Sequence, residues 1–186
     1  MNILLVYPRF PDTYWSFRHA LKFISRKAAN PPLGLLTISS LLPEGWARKL
    51  VDLNVDRLHD ADILWADYVF IGAMSVQAGS ADEIILRCRG LKARIVGGGP
   101  LFTGDPEPWM HLDHLVLNEA EITLRQFLED LENDRPRKVY RTEGYADMTS
   151  SPPPDYSLIR ASHYAQLSIQ YSRGCPYNCE FCEITA

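Results

Sequence analysis

The sequence predicts an α/β chain built on a doubly wound parallel five-stranded sheet, and three observations predict it. Short apolar runs recur between Asn2 and Leu117. Stretches with helical spacing separate them. Proline- or glycine-rich loops punctuate the alternation. Strands alternating with helices close on a parallel sheet with helices on both faces.

The elements follow in order. Asn2–Tyr7 is an apolar run stopped by Pro8, the signature of a buried strand. An aromatic-rich stretch then runs to Phe23. Pro31-Pro32 opens a helix over Leu33–Leu42, because proline suits a first turn, and Pro43 and Gly45 end it. Arg48–Leu53 is the second strand, Asp60–Ala66 a short helix and Tyr68–Ala73 the third strand. A helix over Ala81–Gly90 stops at its glycine. Strand four, Ala93–Val96, runs into Gly97-Gly98-Gly99-Pro100. Strand five is His114–Leu117. The helix Glu119–Leu131 offers Ile122, Leu124, Phe127, Leu128 and Leu131 as a buried face. Five such strands suggest the flavodoxin-like (Rossmann-like) order 2-1-3-4-5, whose ligands bind beyond the carboxyl ends of the strands. That edge gathers Tyr7, Pro8, Arg9 and Phe10; Met74, Ser75, Val76 and Gln77; Gly97, Gly98, Gly99 and Pro100; and Asn118 with Glu119.

From Asn133 the pattern changes. Residues 133–165 are polar and contain Pro152-Pro153-Pro154, which reads as an extended connector leaving a first domain at 1–132. Residues 166–186 read as the start of a second domain, with Leu167–Tyr171 alternating like a strand. One strand and a loop do not make a domain, so a truncated second domain is expected.

Composition narrows the partners. The chain has 186 residues, of which 46% are hydrophobic and 23% charged, which is the globular range. A net charge of −4 argues against a nucleic-acid partner, which needs a basic face. No run of eighteen apolar residues exists, so no transmembrane segment is expected. The opening residues lack a basic lead and a cleavage site, so they read as a strand and not a signal peptide, and a cytoplasmic location is expected.

Of four cysteines, three lie within eight residues: Cys175, Cys179 and Cys182. Clustered thiols point to metal and not to a disulfide framework. Cys88 stands alone in a helical stretch and reads as a small buried hydrophobe. Thiolates suit iron–sulfur clusters or zinc. A four-iron cluster normally takes four cysteines, so three leave one iron open. A structural zinc site needs a fourth ligand.

The run Ser172-Arg173-Gly174-Cys175-Pro176-Tyr177-Asn178-Cys179-Glu180-Phe181-Cys182 resembles the iron–sulfur motif of radical SAM enzymes. The resemblance implies that Cys175, Cys179 and Cys182 ligate a [4Fe-4S] cluster, that S-adenosyl-L-methionine chelates the fourth iron, and that Phe181 lies near the adenine. Reductive cleavage would then give a 5′-deoxyadenosyl radical, chemistry that the cofactors carry and the protein positions. An electron donor such as flavodoxin or ferredoxin is implied too.

Pro31-Pro32-Leu33-Gly34-Leu35-Leu36, the glycine run and Asn118-Glu119-Ala120-Glu121 are similar to the cobalamin-binding domain that precedes the barrel in one radical SAM class. That class includes hopanoid and other C-methylases and the anaerobic magnesium-protoporphyrin monomethyl ester oxidative cyclase. Side-chain-free glycines would let a corrin approach the backbone. Met74-Ser75-Val76 resembles an element that lies under the corrin, where Ser75 would hydrogen-bond. Plainer readings stand beside these: a strand-to-loop turn at the glycines, helix-dipole complementation at Glu119 and Glu121, and core packing for Tyr14, Trp15, Phe17 and Phe23. The D-x-H-x-x-G motif of carriers that ligate cobalt is absent, and the resemblance then implies that any bound cobalamin would have no histidine on cobalt. His19, His59, His111, His114 and His163 match no ligand spacing and read as surface or packing residues.

The resulting expectation is the N-terminal part of a cobalamin-dependent radical SAM enzyme. It would activate a C–H bond of a small hydrophobic substrate, a hopanoid-like lipid or a tetrapyrrole, as a methyltransferase or an oxidative cyclase. The fragment alone is expected to be inactive, with its cysteine motif exposed or disordered. The alternatives are a non-catalytic docking domain that has lost cobalamin and a zinc-stapled regulatory protein.

Overall fold

The computed structural model describes residues 1–13, 16, 18–177, 179 and 180, without the side chain of Arg18. Its strands are β1 (Asn2–Tyr7), β2 (Ala47–Asp52), β3 (Tyr68–Gly72), β4 (Arg94–Gly98), β5 (His114–Val116) and β6 (Val139–Tyr140). Its α-helices are α1 (Arg18–Phe23), α2 (Leu33–Leu41), α3 (Asp60–Trp65), α4 (Ala78–Gly90), α5 (Pro100–Gly104) and α6 (Ala120–Glu132). The sheet order is β2-β1-β3-β4-β5-β6 and every pairing is parallel. The predicted order 2-1-3-4-5 is therefore present, with a sixth strand added at one edge. No helix among the described residues is long and apolar enough to cross a membrane.

Alternation along each strand builds two cores. Leu4 and Val6 of β1 face one way and pack with Val69, Ile71, Ile84, Ile85 and Ile95. Ile3 and Leu5 face the other way and pack with Leu35, Phe70, Leu124 and Phe127. This two-sided burial is what a near-continuous apolar strand encodes. Cys88 is fully buried in the first core, and burial pushes its thiol up to about 11, so it behaves as the expected small hydrophobe. In α6 the buried residues are Thr123, Leu124 and Phe127. The Phe127 ring meets Tyr68, Phe70 and Tyr140 edge-on, with centroids 5.4–6.2 Å away.

Several sequence expectations change. Strand β4 extends through Gly98, so Gly97 and Gly98 belong to the ladder and not to the loop after it. Ser75–Gln77 forms one 3-10 turn that runs straight into α4, which starts at Ala78 rather than at Ala81. Phe23 is 90% exposed, so it belongs to neither core. Tyr14, Trp15 and Phe17 lie outside the described residues.

The largest change concerns residues 133–165. In place of an extended connector, this stretch supplies β6 and then folds back along the sheet body. Tyr140 is fully buried, and its hydroxyl donates to Asp130 Oδ2 at 3.0 Å and accepts from Arg137 N at 2.6 Å. A two-residue strand among polar neighbours carries no periodic signal; this one is held by its backbone pairing with β5 and by the buried Tyr140. Further on, Asp155 N donates to Leu36 O (3.0 Å), Ser39 Oγ to Asp155 Oδ2 (2.9 Å) and Ser40 Oγ to Pro153 O (2.7 Å), which seats the proline run on α2. Residues 163–166 then pair with residues 27–29 through four backbone hydrogen bonds of 2.8–3.2 Å. Leu167–Tyr171, expected as the first strand of a barrel, is not a strand here. A strand needs a neighbour, and among the described residues none lies beside it; Ile169 and Tyr171 are exposed.

Candidate functional site

The sheet order reverses between β1 and β3, and a crevice opens at that point beyond the carboxyl ends of the strands. A cleft of ≈ 1460 Å³ lies there. Its walls are the loop after β1 (Tyr7, Arg9 to Thr13), the loop after β2 (Leu53 to His59), residues Lys27 to Pro31 ahead of α2, and Met74 and Val76 after β3. Pockets for drug-sized molecules span roughly 300–1,000 Å³, so this open cleft is larger than those.

The loops hold their shape through buried polar brackets. Asn54 Oδ1 accepts from Phe10 N (2.9 Å), and Asn54 Nδ2 donates to Pro8 O (3.3 Å). The fully buried Gln77 donates from Nε2 to Pro8 O (2.5 Å), and its Oε1 accepts from Met74 N (2.9 Å). Arg9 N donates to Ser80 Oγ at 3.0 Å. Beside the cleft, Asp52 is buried at the end of β2, next to the lining residues Leu53 and Asn54. Its Oδ1 accepts from Asn54 N (2.9 Å) and Nδ2 (2.7 Å), and its Oδ2 accepts from the Tyr164 hydroxyl (3.0 Å). Burial raises the Asp52 carboxyl, and the hydrogen bonds from Asn54 and Tyr164 only partly offset that. Burial, then the charge of Asp52, pushes Tyr7 up to about 12, and the same two causes raise Tyr164.

The expected site residues divide into three groups. Tyr7, Arg9, Phe10 and Val76 line the cleft. Pro8 and Gln77 build its loop from behind, and Ser75 opens the turn that carries Val76. The third group lies elsewhere on the same edge. A Cβ on Gly97 would stand 2.9 Å from both Leu112 and Phe102, and one on Gly98 would stand 3.0 Å from Val116 O. Gly99 has φ +90°, a conformation side chains disfavour, and its Cβ would stand 3.1 Å from Ala73 O. Packing within the chain accounts for all three glycines. Pro100 opens α5 at its first position, and Asn118 adopts φ +62°. Sequence reasoning missed the β2 loop and residues 27–30. The rule that ligands sit beyond strand ends, applied to β2 as well, points to Leu53–His59.

Glu119 belongs to a different constellation. Arg173 Nη1 donates to Glu119 Oε2 and to Glu121 Oε2 (2.9 Å), while Nη2 donates to Glu121 Oε1 (2.5 Å). Ser151 Oγ also donates to Glu121 Oε1 at 2.7 Å. Burial alone would raise the Glu121 carboxyl; hydrogen bonds from Arg173 and Ser151 outweigh it and hold the group down at about 2. The hydrogen bonds to Glu121 and then to Glu119 raise the Arg173 guanidinium. Glu121 also stands in the first turn of α6, where a carboxylate complements the helix dipole.

The thiols follow directly. Gly174 turns the chain at φ +83°, Cys175 is half-buried and Cys179 is exposed, and both are free thiols. Phe181 and Cys182 lie outside the described residues. Among the described residues no group of three or more His, Cys, Asp or Glu side chains is placed to hold a metal ion. The donor chemistry of Cys-x3-Cys-x2-Cys still fits an iron–sulfur cluster, since accessible unpaired thiols are what such a cluster takes. Of the histidines, exposed His59 lines the cleft, and His114 packs on Phe127 with its Nδ1 2.7 Å from Arg137 O.

Fold and cleft together define a doubly wound α/β body with a large cleft at its switch point. Comparison with known proteins adds the kinship. The chain is 40% identical over 186 residues to an uncharacterized methyltransferase of Synechocystis sp., covering 99% of this chain and 35% of the relative. It is 37% identical over 188 residues to the hopanoid C-2 methylase of Rhodopseudomonas palustris, covering 98% of this chain and 36% of the relative. It is 32% identical over 161 residues to the bacteriochlorophyllide d C-8(2)-methyltransferase of Chlorobaculum tepidum, covering 81% of this chain and 34% of the relative. Over 81–99% of its length the chain is thus similar to part of proteins named as methyltransferases. It spans about a third of the length of these curated relatives. No protein-family profile matches it, and no solved structure matches it.

Proposed function

We propose that this chain is the cofactor-binding N-terminal part of a cobalamin-dependent radical SAM methyltransferase that acts on an unreactive carbon of a hydrophobic polycyclic substrate. The observation that carries the reading is similarity, over 81–99% of this chain, to proteins named as methyltransferases, two of them named for a hopanoid and a bacteriochlorophyllide. Those names favour methyl transfer over oxidative cyclisation. A cluster with S-adenosylmethionine supplies a radical that abstracts hydrogen from an unactivated carbon, and a cobalamin supplies the methyl group.

The residues of the chain divide the work. Tyr7, Arg9, Phe10, Met74 and Val76 face the cleft and would hold the corrinoid. Gln77 and Asn54 keep that wall rigid, and a rigid wall is what orients a large planar ligand. Cys175, Cys179 and Cys182 would ligate the cluster, and an electron donor such as a flavodoxin or ferredoxin would reduce it.

The test is a titration of the 186-residue chain with hydroxocobalamin, followed by absorbance. The expected result is saturable binding at micromolar ligand that weakens about tenfold in Phe10→Ala, the loss of one packed aromatic contact. No binding at high micromolar ligand would sink the cofactor role. The chain alone is expected to methylate nothing.

A further inference from the structure

Arg173 stands two residues before the first thiol, yet the sheet body holds its guanidinium. Two carboxylates from the start of α6 receive Nη1 and Nη2, and Gln170 Oε1 accepts from Nε at 3.0 Å. The grouping is withdrawn from water: 24% of the Arg173 side chain and 7% of the Glu121 side chain remain exposed. The paired contact to Glu121 is the planar fork that arginine makes and lysine cannot copy. The same run is fixed a second time upstream. There Lys27, Ala28 and Ala29 pair with His163, Ala165 and Gln166 along the backbone, and Asn30 Oδ1 accepts from Gln166 Nε2 (2.8 Å) and Ser168 Oγ (3.0 Å). Residues 27–30 are also a wall of the cleft. Two anchors thus bracket the segment from Gln166 to Arg173. Chain geometry then keeps the Cys175 Cα within about 7 Å of the Arg173 Cα.

We propose that Arg173 is a positioning residue for the cysteine run: held by Glu119 and Glu121, it fixes where the thiolates sit relative to the carboxyl edge of the sheet. The inference rests on the proposed function in one respect, that the thiols and the cleft hold two cofactors serving one substrate. Such sites must be placed finely, because a displacement of about 1 Å far from the chemistry can cost about a hundredfold in rate. A merely solvated surface pair would leave the loop free and the rate unchanged.

The experiment places one nitroxide on Cys179 and one on Asp82→Cys in α4, in a chain whose other cysteines are replaced by serine or alanine, and measures the distance distribution. The unmodified clasp is expected to give a narrow distribution. Arg173→Lys and Glu121→Gln should each broaden it at least twofold while the unfolding midpoint of the sheet body stays within about 2 °C. Equal widths with and without the clasp would overturn the proposal. A second measurement uses the longer protein with its cluster reconstituted: Arg173→Lys should keep full iron content and substrate KM while kcat falls about a hundredfold. An unchanged kcat would also overturn it. Absence of iron in the unsubstituted protein would instead sink the reading of the thiols, and the distance measurement would still decide the clasp.

Discussion

Two buried carboxylates tie the C-terminal segment to opposite ends of the sheet edge, and they do so by different physics. Asp52 closes β2 and is held by neutral donors, the Tyr164 hydroxyl and the Asn54 amides. Glu121 stands at the start of α6 and is held by a cation, Arg173. Burial acts on both groups, raising Asp52, while Glu121 is brought down to about 2 because a guanidinium compensates its charge. The difference teaches that burial alone does not set a carboxyl's behaviour; the charge of its partner does. It also separates two jobs. The neutral tie seats the returning chain on the end of β2, and the ionic tie holds Arg173, two residues before the first thiol.

Three perturbations break or sharpen the contrast. The largest effect belongs to Arg173→Met, which leaves two partly buried carboxylates uncompensated. Local opening of residues 166–177 should become easier by about 3 kcal/mol, read from limited proteolysis at low protease. Tyr164→Phe comes next. It removes one hydrogen bond to a buried charged group and should cost about 2 kcal/mol, read from the urea midpoint. Its effect should appear as stability of the sheet body, with residues 166–177 still held by the Arg173 clasp. If the two substitutions give the same pattern, the ties are not separate devices.

Acid gives the smallest effect, with opposite signs for the net contributions of the two carboxyls. The folded Glu121 lies at about 2, below its ordinary 4.5, so its contribution is complete above 4.5 and is lost as pH falls through 2. From pH 7 to pH 4 the Arg173 tie should weaken by about 1 kcal/mol. The folded Asp52 is raised above 3.8 by burial, so its net contribution to folding grows as pH falls and protonation relieves the burial cost, while the hydrogen bond from Tyr164 itself favours the charged carboxylate. An acid-stable protease applied across that range should cut near Arg173 first. Earlier cutting near Tyr164 would reverse the assignment.

Much of the fold was legible in the residues. Asn2–Tyr7 and Tyr68–Gly72 carry enough apolar side chains on both faces to dictate buried strands wherever the chain goes. Part of the cleft's lining was legible as well, because the rule that ligands of such sheets sit beyond the strand ends directs attention to that edge. Tyr7, Arg9, Phe10 and Val76 meet at one cleft. The glycine run was harder. A glycine that admits a ligand and one that admits a neighbour's side chain look alike in sequence, and at Gly97 the neighbours are Leu112 and Phe102. The β6 strand and the fold-back of 133–165 were not legible, since residues that hold them, such as Tyr140 and Asp155, leave no periodic trace.

The sequence by itself determined the parallel sheet, its central order and the thiol spacing of Cys175, Cys179 and Cys182, because periodicity and spacing are local properties of a chain. Tertiary structure alone decided that Arg173 finds Glu119 and Glu121, and that Tyr164 finds Asp52, 112 residues away in sequence. Contacts of that range depend on where the whole chain returns, and no short window of residues encodes them.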